Sequence, residues 1–407
     1  MTTMKILFVT PYLPSPPRFG AQRRLDGLMR GLAARHEVSL LSFVSPSDAL
    51  EEARRETARY CKTIETLEND AFNMSVRTKR VTQLQSMLSP HSFEHRLWHD
   101  LHFQSRLDRL QREFDVVQVE FSQLGIYRFP PRAQRRAVFV LDEHNIEYDL
   151  IKRTAETEGT LARRLYSAVD WRKLKHEERD TWRRFDGVAL TSARDEEVLR
   201  ESEPATRTVV VPNAVDLESF KGSGAQREPA TLMFFGAMNY HPNIEGVQYF
   251  VREILPLVVA EVPNVKLLVV GQQPPDAVRA LASEHVEIVG FVDDPRTVID
   301  RASALVVPLR IGGGTRFKIV EGMAMSAPII STYIGAEGIE AEHDKHLLLA
   351  RDAQSFARET IRLLKDPELG RRLGREARRL AEERYGWAQA VRTLEDFYDR
   401  LGARNGG

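Results

Sequence analysis

Cysteine is nearly missing from this sequence: Cys61 is the single cysteine among 407 residues, so the chain cannot form an internal disulfide, as is typical of a reducing compartment. A net charge is missing too, because 58 basic residues balance 58 acidic ones, and we expect no nucleic-acid partner. No apolar run approaches the roughly 20 residues of a membrane-spanning helix, and the run after Lys5 is too short for a signal peptide. These absences predict a cytoplasmic protein without a membrane span.

Short apolar, β-branched runs alternate with longer segments of helical periodicity, which is the pattern of parallel sheets built from β-α-β units. With 42% apolar and 29% charged residues, the chain is long enough for two globular domains. We predict the α/β class, with two Rossmann-like, doubly wound parallel sheets that face each other across a cleft. The predicted strands are residues 6–10, 38–44, 116–119, 137–141, 187–190, 208–211, 231–235, 265–270, 286–289, 304–307, 329–331 and 347–349.

The polar stretch 216–229 contains Gly222, Gly224 and Pro229, residue types that interrupt regular structure. We interpret it as a linker between a first domain at 1–215 and a second at 230–385. In open α/β sheets, ligands bind beyond the carboxyl ends of the strands. We therefore expect functional residues on the strand-end loops of both domains.

The strongest chemical signal is Gly312-Gly313-Gly314-Thr315, which separates a predicted strand from a helix. Glycines let a ligand approach the backbone, and the N–H groups of a first helical turn attract an anion. Thr315 is expected to cap the helix, and Arg316 and Lys318 add positive charge. One turn later, Glu321 could accept hydrogen bonds from both hydroxyls of a ribose. The segment predicts a nucleotide-phosphate site; the alternative is an ordinary glycine-rich turn with a surface glutamate.

Two weaker signals lie in the first half. Gly20 opens a helix with an apolar stripe on one face and leaves room for a phosphate, although a plain turn is the alternative. His144 follows a predicted strand, where an imidazole can donate or accept a hydrogen bond near neutral pH, although a structural role is the alternative. The neighbouring carboxylates, to which we assign no role as base or nucleophile, are Asp142, Glu143 and Glu147.

Two other clusters are less informative. Four histidines have the spacing of metal ligands on a helix: His91, His95, His99 and His102. No cysteine or clear carboxylate completes the set, so we predict no metal site. We expect a polar or acceptor-facing helix there. The segment 149–185 is basic, which indicates a solvated helix face or, alternatively, a contact with anionic lipid headgroups or an anionic acceptor. Its basic residues include Arg153, Arg163, Arg164, Arg172, Lys173 and Lys175.

The run Lys318-Ile-Val-Glu321-Gly-Met-Ala-Met-Ser-Ala-Pro328-Ile-Ile resembles the donor-binding signature of the retaining glycosyltransferases of family four, the "glycosyl transferases group 1" type. The resemblance extends over the first strand, Gly20, His144, the entry Val211-Pro-Asn-Ala-Val-Asp216, and everything from Phe234 onward. It implies the GT-B fold, in which a C-terminal helix, here 386–402, packs back on the first domain. The buried face of that helix would contain Trp387, Val391, Leu394 and Tyr398.

The resemblance also implies an activity: transfer of a hexosyl group from a nucleotide-diphosphate donor to an acceptor hydroxyl, with retention of configuration and without a metal or cofactor. The product would be a glycan, glycolipid or surface polysaccharide, and the acceptor a sugar, a lipid-linked molecule or a small molecule. A peripheral contact with the inner membrane face would fit such an acceptor. Its site residues would be His144 near the donor sugar, Arg316 and Lys318 on the leaving diphosphate, Glu321 on the ribose, and Gly20, Gly236, Gly313, Gly314 and Thr315 at the donor.

The sequence departs from the family pattern in two places. Gly313 replaces a glutamate that in relatives contacts the donor sugar, so sugar recognition must differ. The stretch 235–243 lacks the arginine and lysine that many relatives place on the diphosphate, and we predict that Arg316 and Lys318 substitute for them. A nucleotide-sugar epimerase on the same fold, or a non-catalytic nucleotide-sugar-binding subunit, remains the alternative.

Overall fold

The computed structural model describes residues 3–45, 50–157, 161–224 and 226–403. The chain divides into two compact units: Met1–Pro212 with Ala388–Gly407, and Asn213–Trp387. The stretch 216–229 belongs to the second unit, where Arg378 Nη1 donates a 2.7 Å hydrogen bond to the Phe220 backbone oxygen.

The first unit contains a parallel sheet with the strand order β3-β2-β1-β4-β5-β6-β7. Its strands are β1 (Lys5–Thr10), β2 (Glu37–Val44), β3 (Ile64–Glu68), β4 (Val116–Glu120), β5 (Val138–Glu143), β6 (Gly187–Leu190) and β7 (Thr208–Val210). The helices are α1 (Gly20–Ala33), α2 (Leu50–Thr57), α3 (Val76–Met87), α4 (Phe93–Trp98), α5 (Leu101–Leu110), α6 (Glu147–Thr157), α7 (Leu161–Arg184) and α8 (Ala193–Ser202).

The second unit contains a parallel sheet with the order β10-β9-β8-β11-β12-β13. Its strands are β8 (Glu228–Phe235), β9 (Lys266–Val270), β10 (Val286–Gly290), β11 (Ala302–Val307), β12 (Ile329–Thr332) and β13 (Leu348–Ala350). The helices are α9 (His241–Tyr249), α10 (Leu255–Glu261), α11 (Asp276–Arg279), α12 (Arg296–Arg301), α13 (Phe317–Ala324), α14 (Ala353–Lys365) and α15 (Pro367–Arg384), and the chain continues into α16 (Trp387–Gly402).

The α/β class is confirmed, and every predicted strand is present with ends shifted by a few residues. Central strands such as β1 are buried along almost their whole length, because helices cover both faces of a parallel sheet. The sequence analysis missed β3, an edge strand with the sequence IETLE that is only half-buried. Its glutamates break the continuous apolar run by which the central strands were found. Within the described residues, no helix is long and apolar enough to cross a membrane.

The C-terminal helix α16 packs on the first unit through a continuous buried face. A Cβ at Gly187 would collide with Phe397, so the end of this helix lies directly against β6. Glu395 is fully buried and accepts from His36 Nε2 at 2.9 Å if that nitrogen carries the proton. Of the predicted contact face, Val391, Leu394 and Tyr398 are buried, whereas Trp387, the first residue of the helix, is partly exposed.

Candidate donor site and the buried histidine

The strand order reverses once in each sheet, between β1 and β4 in the first unit and between β8 and β11 in the second. Loops that leave two such strands diverge, and the crevice between them is where open α/β sheets bind ligands. Gly20 follows β1, Gly236 follows β8, and the turn at Gly312 follows β11. Gly20 in the first unit and the predicted site residues of the second unit therefore lie at a reversal point, whereas His144 follows β5, the strand beside β4.

The turn after β11 is shaped by Gly312 and Gly314, whose φ angles of 147° and 64° lie in the region that favours glycine. A Cβ at Gly312 would collide with the Arg316 guanidinium, so the position has no room for a side chain while Arg316 keeps its place. Arg316 Nη1 donates to the backbone oxygens of Gly313 and Gly314, the latter at 2.7 Å. Arg316 therefore lies folded over the glycine turn.

The helix after this turn, α13, begins at Phe317, and its N-cap residue is Arg316, which makes no side-chain capping hydrogen bond. The prediction that Thr315 caps the helix is therefore wrong. The backbone is still extended at Arg316, with φ −81° and ψ 110°, so Arg316 and not Thr315 occupies the N-cap position. The Thr315 backbone oxygen instead accepts a 2.8 Å hydrogen bond from Asn213 Nδ2.

The ammonium group of Lys318 is buried at the start of α13. Its Nζ donates to Asn243 Oδ1 at 2.8 Å and lies 4.1 Å from the centre of the Phe234 ring. A Cβ at Gly236 would come within 2.9 Å of Nζ, so glycine at this position leaves room for the ammonium. Burial, and then the charge of Arg316, lower the pKa of Lys318 to about 7, because little water remains to solvate the ion.

Asn243 is a site residue that sequence reasoning missed. It lies at the start of α9 and is 6% exposed. Its Nδ2 donates to the Ala237 backbone oxygen at 2.9 Å, which directs Oδ1 toward Lys318. The asparagine stood within the stretch 235–243, whose lack of arginine and lysine was noted. No local pattern in the sequence pairs this asparagine with Lys318, which lies 75 residues later.

Glu321 lies one helical turn after Lys318 and is 3% exposed. The other residues from Lys318 to Ala324 are buried too. Residues three apart share one face of a helix, and the negative charge of Glu321 opposes the fall in the Lys318 pKa. The structure thus brings Arg316, Lys318 and Glu321 together beyond β11, with Gly236 beside them at the end of β8.

Gly20 is the first residue of α1, and Phe19 at the N-cap makes no side-chain capping hydrogen bond. The first turn therefore offers backbone N–H groups of the kind that bind anions. One turn later, Arg24 Nε and Nη2 donate to the two carboxylate oxygens of Asp142 at 3.0 and 2.8 Å, and Nη1 donates to the Val211 backbone oxygen at 2.8 Å. Arg24 thus joins the helix that begins at Gly20 to the ends of β5 and β7.

His144 directly follows β5 and is 6% exposed. Its Nε2 lies 2.8 Å from Oε2 of Glu120, the last residue of the neighbouring strand β4. The Phe121 ring covers the imidazole at a centroid distance of 3.9 Å. Burial lowers the pKa of His144 to about 3 and raises the pKa of Glu120 to about 7. The imidazole is therefore neutral when the carboxyl group is near its midpoint.

The protonation state of Glu120 decides what His144 offers at its other ring nitrogen. When Glu120 is ionised, His144 Nε2–H donates to it and Nδ1 is an acceptor. When Glu120 is protonated, its hydroxyl donates to Nε2, and Nδ1 carries a hydrogen that it can donate. The Nδ1 atom of His144 can therefore either donate a hydrogen bond or accept one, depending on the proton of Glu120. Glu120 is a second residue that sequence reasoning missed.

Two carboxyl groups lie close to His144 in the sequence: Glu143 is buried and Glu147 is partly buried. Burial raises the pKa of Glu143 to about 8 and that of Glu147 to about 7. Glu143 accepts hydrogen bonds from the Ser122 backbone N–H at 3.0 Å and from Trp182 Nε1 at 2.8 Å. These bonds give Glu143 a structural task, and neither carboxylate is assigned a chemical one.

Glu120, Asp142 and His144 offer ligand atoms within 4.8 Å of one another, close enough for a metal ion. Both oxygens of Asp142, however, already accept from the guanidinium of Arg24. That group supplies the positive charge that a cation would bring, so the residues present fit an ion pair better than a metal.

The four histidines at helical spacing do not share one helix. His91 precedes α4, His95 lies within it, His99 is its C-cap residue, and His102 belongs to α5. The helix ends because the backbone at His99 is extended, with ψ 115°. His91 and His95 lie against Glu177 of α7, the carboxylate that the sequence analysis did not find.

The basic segment 149–185 lies mostly in α6 and α7, and part of its charge is used within the fold. Lys173 Nζ donates to the Ser86 backbone oxygen at 2.6 Å, and the ammonium of Lys175 lies 5.1 Å from the centre of an aromatic ring. The side chain of Arg163 lies outside the described residues. Among the described residues of this segment, Lys173 and Lys175 thus make contacts within the fold.

Comparisons with known proteins agree with this architecture. The sequence pattern of the family described as "Glycosyltransferase Family 4" matches residues 20–219, and the pattern described as "Glycosyl transferases group 1" matches residues 229–366. Together the two matches span both units.

Two relatives extend these matches. A 44.6 kDa protein in the cps region of Klebsiella pneumoniae is 21% identical over 89% of this chain and 91% of its own length. A phosphatidyl-myo-inositol mannosyltransferase of Mycolicibacterium smegmatis is 32% identical over 46% of this chain and 51% of its own length.

Solved structures share the fold. Sucrose-phosphate synthase from Thermosynechococcus elongatus matches with a TM-score of 0.73 and 17% identity, over 98% of this chain and 99% of that one. Anabaena HepE in complex with UDP and glucose matches with a TM-score of 0.67 and 14% identity, over 97% and 99% of the two chains. At these identities the likeness speaks for the fold alone.

The fold and the matched patterns define a glycosyltransferase of the GT-B fold. The chain belongs to the family 4 glycosyltransferases, the glycosyl transferases group 1 type. The family and the fold predicted from the sequence are both confirmed.

We expect the imidazole of His144 to stay neutral between about pH 5 and about pH 8, because burial holds its pKa at about 3, whereas an ordinary histidine titrates near 6.5. NMR of the imidazole Cε1–H group would measure this, with the His144 signal identified by its loss in His144→Gln. The same signal in the urea-unfolded chain, titrating near 6.5, is the control. A titration midpoint between about pH 5 and about pH 8 in the folded protein would contradict the expectation.

Proposed function

We propose that this glycosyltransferase moves a hexosyl group from a nucleotide-diphosphate donor to an acceptor hydroxyl with retention of configuration. The observation that carries the proposal is that a buried cation and a buried carboxylate, Lys318 and Glu321, share one helix at the strand-order reversal. A diphosphate requires positive charge, and a ribose requires an acceptor for its two hydroxyls. One helical turn supplies both.

The diphosphate would lie over the glycine turn at the start of α13. Arg316 is already within hydrogen-bond reach of the Gly314 backbone oxygen at 2.7 Å, so its guanidinium is at the turn before a ligand arrives. Burial holds the pKa of the Lys318 amine at about 7. A bound anion would favour the protonated amine, so Lys318 would carry a full charge there. Departure of the sugar leaves negative charge on the diphosphate, and fixed cations stabilise that charge. No metal or cofactor is part of the proposal.

Other donor contacts in the proposal come from backbone and small residues. Gly236, Gly313, Gly314 and Thr315 would let the donor approach the main chain of the second unit, and Gly20 would offer N–H groups from the first. Since Gly313 has no side chain, backbone amides would contact the donor sugar. His144 would contact the same sugar, with Glu120 setting the polarity of its hydrogen bond.

The relatives suggest where such a reaction belongs. The mannosyltransferase is named for phosphatidyl-myo-inositol, the Klebsiella protein for the cps region, and HepE is solved with UDP and glucose. We therefore propose a role in the synthesis of a glycan, a glycolipid or a surface polysaccharide, with a nucleotide-sugar donor. A sugar, a lipid-linked molecule or a small molecule would be the acceptor.

A thermal-shift panel of nucleotide sugars, followed by transfer assays with the donor that stabilises most, tests this function. We expect the donor to be consumed in step with acceptor glycosylation, and the product to keep the donor's anomeric configuration by NMR. An inverted product would contradict retention. Conversion of the donor to an epimer without acceptor would support the epimerase alternative, and binding without turnover would support a non-catalytic subunit.

A matched pair of variants separates the ribose contact from the diphosphate contact. Glu321→Gln keeps the side-chain size but weakens a charged hydrogen bond worth about 1.5–3 kcal/mol, so we expect roughly 10- to 100-fold weaker binding of the nucleoside diphosphate. The wild type should bind the 2′-deoxy nucleotide less tightly than the ribonucleotide. The variant and the wild type should bind the 2′-deoxy nucleotide about equally. Arg316→Ala should instead lower kcat by roughly 100-fold or more. Calorimetry and initial rates measure these effects, and an unchanged ratio of ribo to deoxy affinity in Glu321→Gln would overturn the ribose assignment.

We also propose that the protein is cytoplasmic and touches the inner membrane face through α3 rather than through the basic segment 149–185. Ser86 is the buried residue of this helix, whereas Val76, Leu84 and the adjacent Leu88 are 71%, 64% and 93% exposed. The charged residues of the helix are all basic: Arg77, Lys79 and Arg80. Basic side chains next to a membrane are attracted to anionic headgroups, and the exposed aliphatic side chains among them would add apolar contact.

Cosedimentation with vesicles tests this contact. We expect binding to vesicles of phosphatidylcholine with phosphatidylglycerol, little binding to phosphatidylcholine alone, and weaker binding as salt is raised. The double variant Leu84→Asp with Leu88→Asp should lose the binding, whereas Leu257→Asp, at a leucine of α10 that is 41% exposed, should keep it. Equal binding by the two variants would remove α3 from the proposal.

A further inference from the structure

A second cluster of potential metal ligands in the first unit consists of His91, His95 and Glu177. Nδ1 of His91 and Nδ1 of His95 lie 3.4 and 3.6 Å from the same carboxylate oxygen, Oε1 of Glu177. The three residues offer ligand atoms within 4.8 Å of one another. His91 is about half exposed, whereas His95 and Glu177 are mostly shielded, with side-chain exposures of 20% and 16%.

These separations match those of ligands around a small transition-metal ion. Zinc binds histidine nitrogen and carboxylate oxygen at about 2.0–2.2 Å with tetrahedral geometry, which places neighbouring ligand atoms roughly 3.3–3.6 Å apart. Two imidazoles and one carboxylate are also a ligand set that suits zinc. With three protein ligands, a water molecule would complete the tetrahedron.

The Nδ1 atom of His95 is the second observation. It is buried and has no hydrogen-bond partner among the described residues, since 3.6 Å to Glu177 is too long for one. Buried polar atoms are normally satisfied, and an exception calls for an explanation such as an ion. Burial also lowers the pKa of His95, so its imidazole is in the neutral form that ligates metals.

We propose that His91, His95 and Glu177 form a binding site for a divalent transition-metal cation of the zinc class. None of these three residues is one of the proposed donor-site residues, and the proposal does not depend on the proposed function. It would act on the fold, because His91 and His95 lie on the segment that follows α3, while Glu177 lies on α7. Lys173, one turn before Glu177 on α7, already donates to the Ser89 backbone oxygen at 2.7 Å, so the metal would fasten the same segment at a second point.

The two imidazole rings must rearrange slightly to share an ion. They are stacked, with centroids 3.9 Å apart and planes 17° from parallel, so their in-plane lone pairs point in nearly the same direction. One ring must turn about its Cβ–Cγ bond, and half-exposed His91 has the space to do so. Glu177 keeps its position because its Oε1 also accepts from the Ser92 backbone N–H at 2.9 Å.

Metal titration of the full-length protein tests the proposal. After treatment with a chelator, we expect wild type to bind one equivalent of Zn²⁺ by calorimetry and to melt at a higher temperature with Zn²⁺ than without it. Co²⁺ should give the strong visible absorption of a tetrahedral site. His91→Ala, at a half-exposed position, should weaken Zn²⁺ binding at least roughly 10-fold, and Glu177→Gln should do the same while keeping an acceptor for Ser92.

His102→Ala is the matched control, since His102 belongs to α5 and is exposed; it should bind Zn²⁺ as wild type does. Circular dichroism of each variant without metal separates lost binding from lost folding, and His91→Ala provides the decisive measurement if His95→Ala unfolds. Unchanged affinity and stoichiometry in His91→Ala, or the absence of saturable binding in wild type, would overturn the proposal.

Discussion

The contact between Lys318 and Asn243 is the interaction around which the second unit's site is arranged. It joins the helix that follows β11 to the helix that follows β8, so it spans the point where the strand order reverses. An ammonium without water is unstable as an ion, and here one amide oxygen and the face of Phe234 replace its hydration. Burial nevertheless lowers its pKa to about 7, so the proposed diphosphate would shift the group toward its protonated form.

The first unit follows the same principle with different residues. His144 and Glu120 share one hydrogen bond at the ends of β5 and β4, and Arg24 holds Asp142 by two bonds beside them. Burial favours the neutral form of the first pair, whereas two close hydrogen bonds keep the second pair together. The ion pair fixes the backbone from which His144 projects, and the neutral pair leaves its ring able to donate or accept. Position and polarity of the imidazole are thus set by different neighbours.

Strands and motif residues could be predicted from the sequence because their signals are local. An apolar run identifies a central strand, and three glycines before Thr315 identify a turn. Partners that meet only in the fold left no such signal: Asn243 faces Lys318, and Glu177 faces His91, across long stretches of chain. The Thr315 cap failed for a local reason: the helix begins at Phe317, one residue later than predicted, so Arg316 is the N-cap residue.

The two departures from the family pattern are linked by the position of Arg316. Its guanidinium contacts the backbone oxygen of Gly313, and the family pattern that the sequence resembles implies a glutamate at that position. A carboxylate within reach of a guanidinium forms charge-assisted hydrogen bonds with it, so such a glutamate would compete with a phosphate for the arginine. Glycine at 313 removes this competitor. In the proposed mechanism, losing the sugar-binding carboxylate is therefore the condition under which Arg316 can serve the diphosphate.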